Sequence, residues 1–516
     1  LTSPSILEDQ RSLIAFLSKP GVLSESTPHK VDTLGAVVFL AEDKAFKLKR
    51  AVSFRFMDFG NRSKRDNAAK AELILNRRTA KTLYLGLTPV YQIGESFHLG
   101  ELSEEIDPAL NAVAHLVTMR RFKDGQTFDQ LVDAGELDSV LIDQLADTIA
   151  DFHAQTPATC KDAAATSLTF SARRTAKDLL DAKNLLGENS TILVGKIEDA
   201  LARYESEITH RGANGSVKRL HGDLHLANVA RINNSPVIFD ALEFDNDMAT
   251  VDELHDLAFL IMDLWARNAH FLAARVWSRY LATNGKYEGL ALAPLFISMR
   301  AAVRAKVALH AVEHSKGKDR ESKLSEAKHY VQTALNALAK PKPRLIAIGG
   351  LSGSGKTTLA HALAPLLAPA VGAVHLRSDG IRKRRAGLHF NVKLPKSAYS
   401  SSENKAVYET LINEAKAVLL QGSPVIVDAV FARSDERKAI QQVAEQLNLP
   451  FNGFWLEADL IERQQRIVER KVDISDATPA VAARQENYEL GHINWQRLNA
   501  LESPLAVVIE ELNLQG

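Results

Sequence analysis

The chain has 516 residues, 46% hydrophobic and 24% charged, with 63 lysines and arginines against 63 aspartates and glutamates. That length predicts about three domains at ~150 residues each, and the charge balance argues against bulk electrostatic binding to nucleic acid or a membrane surface, leaving only local patches. The lone Cys160 excludes an intrachain disulfide framework and a cysteine-based zinc site and fits a reducing compartment; with no uninterrupted apolar run of ~18 residues and no basic-then-apolar signal pattern at the start, a cytoplasmic protein without a membrane span is expected.

Residues 1–122 read as a small β-rich lobe. Gly35 to Leu40 and Ala45 to Lys49 alternate as strands around a turn at Glu42-Asp43-Lys44. A helix is expected over 63–82, with further strands at 90–93 and 113–121. Lys47 and Lys49, two apart on one strand, point to the same face. Residues 123–339 read as a helical lobe, interrupted by a β-rich cluster over 218–244.

That cluster holds Leu220-His221-Gly222-Asp223-Leu224-His225-Leu226-Ala227-Asn228, followed by Val237-Ile238-Phe239-Asp240. Phosphoryl transfer to a hydroxyl needs a carboxylate to orient the hydroxyl and accept its proton, and oxygen ligands for the magnesium on the triphosphate. Asp223 suits the first role as a catalytic residue; Asn228 and Asp240 suit the second as metal ligands, since hard Mg²⁺ prefers oxygen donors. A turn that merely satisfies its own backbone is the competing reading.

The segment resembles the catalytic loop of the aminoglycoside phosphotransferase and choline kinase families, which reads roughly H-G-D-x-x-x-x-N before a hydrophobic-Asp metal motif. The resemblance implies a two-lobe α+β protein-kinase-like domain over 1–339. It implies a strand lysine on the nucleotide phosphates, best met by Lys47 between Phe46 and Leu48, paired to a helix glutamate, Glu72. It makes Val117 to Phe122, with Met119, the connector that meets the nucleotide base. It also makes Asp256 an anchor beneath the catalytic loop. His225 reads as a satisfied histidine, with contact to substrate the alternative. The kinase G-x-G-x-x-G loop is missing; only Gly35 lies in the first hairpin, so ATP and GTP both stay open.

Lys340-Pro341-Lys342-Pro343 is the linker, because two prolines cannot continue the preceding helix. Residues 344–516 then alternate strand and helix, which predicts an α/β domain with a mainly parallel sheet. Strands are expected at 345–348, 374–376, 424–427, 451–455 and 505–509. The first runs into Gly350-Leu351-Ser352-Gly353-Ser354-Gly355-Lys356-Thr357, which fits G-x-x-x-x-G-K-[ST] at every fixed position. Strand, glycines and following helix are the setting in which backbone N–H groups turn toward phosphate oxygens. Gly350, Ser352, Gly353, Ser354, Gly355, Lys356, Thr357 and Thr358 are the nucleotide-binding candidates, with Lys356 on the β/γ-phosphates and the Thr357 hydroxyl on Mg²⁺.

Leu376-Arg377-Ser378-Asp379-Gly380-Ile381-Arg382 resembles the D-x-x-R of small-molecule and polynucleotide kinases within the P-loop class. That implies Asp379 as catalytic base and Arg382 as catalytic charge stabiliser; a helix-capping aspartate is the bland alternative. Asp428 ends a buried strand and is a metal-shell candidate. Arg463, Arg466 and Arg470 recur on one helical face, and adenylate-kinase-like enzymes carry such arginines on a lid, which makes Arg466 and Arg470 nucleotide-binding candidates. Asp476 is expected to order that lid.

Taken whole, the chain resembles bacterial two-module proteins that join an aminoglycoside-phosphotransferase-like domain to a P-loop kinase. The resemblance implies a bifunctional Mg²⁺- and ATP- or GTP-dependent transferase for a small hydroxylated substrate: a sugar, amino sugar, nucleoside or polyol. Two rival readings are a nucleic-acid end kinase, resting on the basic run Arg382-Lys383-Arg384-Arg385, and a nucleotide-gated sensor with one regulatory site.

Overall fold

The computed structural model describes residues 5–6, 8–54, 57–159, 163–340, 342–367, 371–470 and 474–514; Cys160 and Pro341 lie outside the described residues. The chain packs as two units, one of residues 1–137, 155–168 and 212–256, the other of residues 138–154, 169–211 and 257–516.

The first unit is built on a six-stranded antiparallel sheet of β1 (His29–Asp32), β2 (Ala36–Leu40), β3 (Lys44–Lys49), β4 (Tyr84–Ile93), β5 (Ser96–Leu99) and β6 (Ala114–Arg120), in the order β1-β2-β3-β6-β4-β5. The pleat sorts β3 by parity. Phe46 and Leu48 join Val37, Phe39 and Leu116 under the short helix that carries Leu13 and Leu17. Ala45, Lys47 and Lys49 face the other way, toward α1 (Arg62–Asn76), whose Ala69 and Leu73 share a core with Tyr84, Val117 and Met119. Asn61 caps α1 by accepting the Lys64 N–H.

The helix stops at Asn76, short of the expected residue 82, for a physical reason. The Asn76 amide accepts from Ala241 N–H at 2.8 Å, and Arg77 turns to the Tyr84 and Leu85 carbonyls at 3.1 and 2.7 Å. This unit also holds two antiparallel ribbons, β7 (Val217–Arg219) with β10 (Thr250–Asp252) and β8 (Val229–Ile232) with β9 (Ser235–Ile238).

The second unit combines helices α2 (Ser139–Gln155), α3 (His270–Asn284) and α4 (Ala293–His314) with a five-stranded, wholly parallel sheet. Its strands are β11 (Leu345–Gly349), β12 (Val374–Arg377), β13 (Val425–Asp428), β14 (Phe451–Glu457) and β15 (Gln496–Asn499), in the order β12-β13-β11-β14-β15. β11 and β13 are buried at every residue, as a parallel sheet covered on both faces requires.

One expectation fails here: residues 505–509 are not a strand. Pro504–Glu511 is a helix with proline in its first turn, and the fifth strand is β15. Leu505, Val508 and Leu512 recur at helical spacing and pack on Leu359 and Leu363. An unbroken apolar run fits either structure, and this packing decides it. Among the described residues no helix is long and apolar enough to cross a membrane.

Candidate active sites

The first site sits where α1, β3 and the two ribbons of the first unit converge. Asp256 supports the 220–228 loop by accepting the backbone N–H groups of His221 and Gly222, at 3.3 and 2.8 Å. His221 then links this loop to the segment that ends at Asp240. Its Nε2 lies 2.9 Å from the Phe239 carbonyl, which can only accept, so Nε2 carries the proton and Nδ1 accepts from Asp223 N–H at 3.3 Å. Phe239 N–H donates to the Asn228 carbonyl at 2.9 Å. The Asn228 Nδ2 donates to the Asp223 carbonyl at 2.9 Å and to its carboxylate at 3.2 Å, which leaves Oδ1 as the Asn228 group suited to a cation. Asp223, Asn228 and Asp240 are therefore brought together. His225 Nε2 lies 3.4 Å from Asp223.

Asp240 itself sits at φ 60°, a left-handed conformation that costs a non-glycine residue and is found at sites the surroundings over-determine. Lys47 Nζ lies 2.9 Å from Glu72 and 2.5 Å from Asp240. Lys49, the alternative on the same face, lies 2.5 Å from the second Glu72 oxygen and also pairs with Glu243. The strand thus delivers two cations to one buried glutamate. Burial works against the Lys47 charge, but Asp240 and Glu72 outweigh it and raise its pKa well above the usual lysine value. Burial likewise pushes Asp240 up, and Lys47 overcomes this to hold it below the ordinary carboxylate range.

Met119 lies inside β6, opposite Ala45 on one side and Tyr84 on the other, so of Val117 to Phe122 only Arg121 and Phe122 lie beyond the strand. Sequence reasoning missed Glu243 and Tyr84. The Tyr84 hydroxyl accepts Asp240 N–H at 3.2 Å; no motif marks it, because the tyrosine reaches the site through the sheet.

The Gly222 turn carries a stability prediction. Gly222 has φ 81°, and a Cβ there would stand 2.7 Å from the Ala249 Cβ and 3.0 Å from its Cα. Gly222→Ala is expected to cost about 1–3 kcal/mol through backbone strain plus this clash, read as a lower urea midpoint; an unchanged midpoint would contradict the turn geometry.

The second site is an open cleft of about 2390 Å³ in the second unit, lined among others by Lys356, Thr357, Thr358, Asp379, Arg382 and Asp428. The phosphate loop leads from β11 into α5 (Lys356–Leu363) with Gly350, Gly353 and Gly355 at φ 140°, 85° and 95°. A Cβ on Gly353 would stand 2.5 Å from the Arg463 carbonyl oxygen, so only glycine fits. Ser354 N–H donates to the Leu351 carbonyl at 3.2 Å, and its hydroxyl is buried without a hydrogen-bond partner among the described residues.

Lys356 Nζ donates to Leu351 O at 3.0 Å, and burial lowers its pKa against the pull of Asp428 and Asp379. The Thr357 hydroxyl donates to Asp428 Oδ2 at 2.6 Å. Hydroxyl and carboxylate side by side at the foot of a phosphate loop form an oxygen set suited to Mg²⁺. Burial would raise the Asp428 pKa, but His375, Lys356 and Arg377 hold it well below the carboxylate range.

Asp379 lies in the first turn of α6 (Ser378–Arg385) and faces the cleft. Arg382 also lines the cleft, but its guanidinium donates to the Ala398 carbonyl at 2.7 Å and lies over the Tyr399 ring at 4.9 Å. The arginine stripe divides on α7 (Leu460–Glu469). Arg466 and Arg470 reach the cleft, and Arg466 Nε pairs with Glu462 at 2.7 Å. Arg463 instead is buried, donating to Ala458 O and Ser352 O and pairing with Glu486. Asp476 lies 3.2 Å from Lys383 Nζ and accepts from Leu394 N–H at 2.9 Å.

Gln485, at the end of α8 (Pro479–Gln485), accepts the Ser352 N–H at 2.7 Å. Sequence reading passed over it, since nothing in the local pattern of α8 ties it to a loop 133 residues away.

Burial lowers the pKa of His221, His361 and His375, which are therefore neutral in the folded chain. Unfolded imidazoles take up protons near pH 6.5, so the unfolded state binds more protons below that point and stability falls with pH. The melting temperature is expected to drop between pH 7 and pH 5, above the range where carboxylates titrate. A flat profile across that interval would contradict the buried, neutral assignment.

Residues 345–489 match the model of a family described as an AAA domain, AAA_33. An uncharacterized protein of Mycobacterium tuberculosis, Rv2004c, is 29% identical over 475 residues, 89% of this chain and 91% of its own length, and Mb2027c of Mycobacterium bovis matches to the same extent. Among solved structures, a choline kinase from Cryptosporidium parvum covers 62% of this chain and 94% of its own at 13% identity and a TM-score of 0.36. A gluconokinase from Sinorhizobium meliloti covers 33% and 89% at 18% identity and a TM-score of 0.23. The folds and the family match together describe a two-module chain, an α+β module followed by an α/β module that carries the phosphate loop.

Proposed function

We propose that the chain is a tandem phosphotransferase, each module transferring the γ-phosphoryl group of ATP or GTP to a hydroxyl of a small metabolite such as a sugar, amino sugar, nucleoside or polyol. The observation that carries this reading is the junction at His221, which ties Asp223 to the strand end bearing Asp240 while Lys47 bridges Asp240 and Glu72. In the first site Asp223 orients the acceptor hydroxyl and takes its proton, and Lys47 holds the phosphates. In the second, Asp379 plays the part of Asp223, the loop amides and Lys356 grip the phosphates, and Arg466 and Arg470 supply positive charge from the lid side. Asn228 and Asp240 in one site, and Thr357 and Asp428 in the other, would hold Mg²⁺, which would supply positive charge against the phosphates.

The test is incubation with γ-labelled ATP and a library of hydroxylated metabolites, with Asp223→Asn and Asp379→Asn examined separately by mass spectrometry. Each substitution is expected to remove a different product. If both variants keep the full product set, neither aspartate acts as assigned. Should the product of one site be the acceptor of the other, one substitution would remove both products. Nucleotide binding with no transfer to any metabolite would favour the sensor reading.

The end-kinase reading loses its main support, because the basic run is engaged within the fold. Arg382 bonds Ala398, Lys383 bonds Phe390 and Asp476, Arg384 bonds Ala282 and Glu414, and Arg385 lies 3.5 Å from Glu403.

A further inference from the structure

Helix α3 lies in sequence well ahead of the P-loop domain, ending at Asn284, yet it packs on that domain's edge strand within the second unit. Ala274 joins the core of Ile346, Leu359 and Leu363. The Ser278 hydroxyl accepts the β12 N–H of His375 at 3.1 Å, closing an otherwise open sheet edge. Between these two residues stands Arg275. Its Nε and Nη2 form a fork on Asp143 of α2 at 2.7 and 2.8 Å. Its remaining Nη1 lies 3.0 Å from His361 Nδ1.

Arginine only donates, so His361 Nδ1 accepts and its proton sits on Nε2. The His361 ring lies edge-on to His375 at 4.9 Å between centroids. His375 Nε2, buried, lies 3.5 Å from the Asp428 oxygen that also takes the Thr357 hydroxyl. An unbroken row of contacts therefore runs from Asp143 to the pair assigned to magnesium. The P-loop chemistry itself requires neither Asp143, Arg275 nor His361.

We propose that Arg275, locked by Asp143, is a positioning residue of the second site: through His361 and His375 it fixes the Asp428 carboxylate, so that the helical segment completes the P-loop domain. The proposal rests on the reading of Thr357 and Asp428 as the cation-holding pair. Partners behind a metal ligand typically change metal affinity 10- to 100-fold when removed.

The experiment is calorimetric binding of a non-hydrolysable ATP analogue to the full chain, with Mg²⁺ titrated and again with EDTA, the response of the first site serving as internal reference. Arg275→Met is expected to raise the Mg²⁺ concentration for half-maximal binding at the second site about tenfold, leaving metal-free analogue affinity unchanged; Arg275→Lys is expected to recover most of the loss. His361→Ala, which keeps the Arg275–Asp143 fork, is expected to give a similar shift and stands in should Arg275→Met misfold. A Mg²⁺ response within twofold of the parent in Arg275→Met or His361→Ala overturns the relay. Parallel loss of metal-free affinity and melting temperature, with no rescue by lysine, also overturns it, as a merely structural role. Asp428→Asn separates the two levels: if it leaves the Mg²⁺ response intact, the cation pair itself is misassigned.

Discussion

Asp223→Asn is expected to lower phosphoryl transfer at the first site about 10²- to 10⁴-fold in kcat, the range typical of losing a general base, with little change in nucleotide affinity. The asparagine can keep the loop intact, because its amide oxygen can still accept the Asn228 Nδ2 bond now made at 3.2 Å to the carboxylate. The backbone N–H at 223 still meets His221 Nδ1. What disappears is the group that takes the hydroxyl proton. On the nucleotide side, Lys47 is paired with Glu72 and Asp240. Steady-state kinetics with calorimetric nucleotide binding checks both halves. A kcat within tenfold of the parent, or a matching loss of nucleotide affinity, would show that Asp223 is structural.

Lys356→Met is expected to weaken nucleotide binding at the second site by about 2–4 kcal/mol, roughly 30- to 1000-fold, the scale of losing one member of a buried charge pair. Methionine keeps the length of the side chain and removes its charge. Lys356 is nearly enclosed, 9% exposed, and it contributes to the low pKa of Asp428. Its bond to the Leu351 carbonyl is a position the ammonium can leave when phosphate oxygens offer a stronger, charge-assisted partner. The first site is expected to bind as before. Unaltered affinity at the second site would remove Lys356 from the phosphate grip.

Where chemistry imposes a local spacing, the chain could be read. The phosphate loop, the Asp223-to-Asn228 interval and the strand-end Asp240 are short patterns, and the residues within each lie near one another in the fold for the same reason that they lie near one another in sequence. The parity of Lys47 and Lys49 also carried through, although the structure gives both of them to Glu72. Legibility failed where period or tertiary distance decides. The run at 505–509 is apolar at every position, so strand and helix were equally served until Val508 and Leu512 met Leu363. The three-arginine stripe implied one face, but Arg463 turns under the phosphate loop while Arg466 stays on the cleft. Gln485 reaches Ser352 across 133 residues and Arg275 reaches His361 across 86, intervals for which no local pattern exists.

The account depends on two separate magnesium–nucleotide sites in one chain, and binding stoichiometry tests that most directly. Equilibrium dialysis of the full chain with a non-hydrolysable ATP analogue and Mg²⁺ is expected to give two equivalents bound, falling to one at the same analogue concentration in Lys356→Met. One equivalent in the parent, or two retained in the variant, would contradict it.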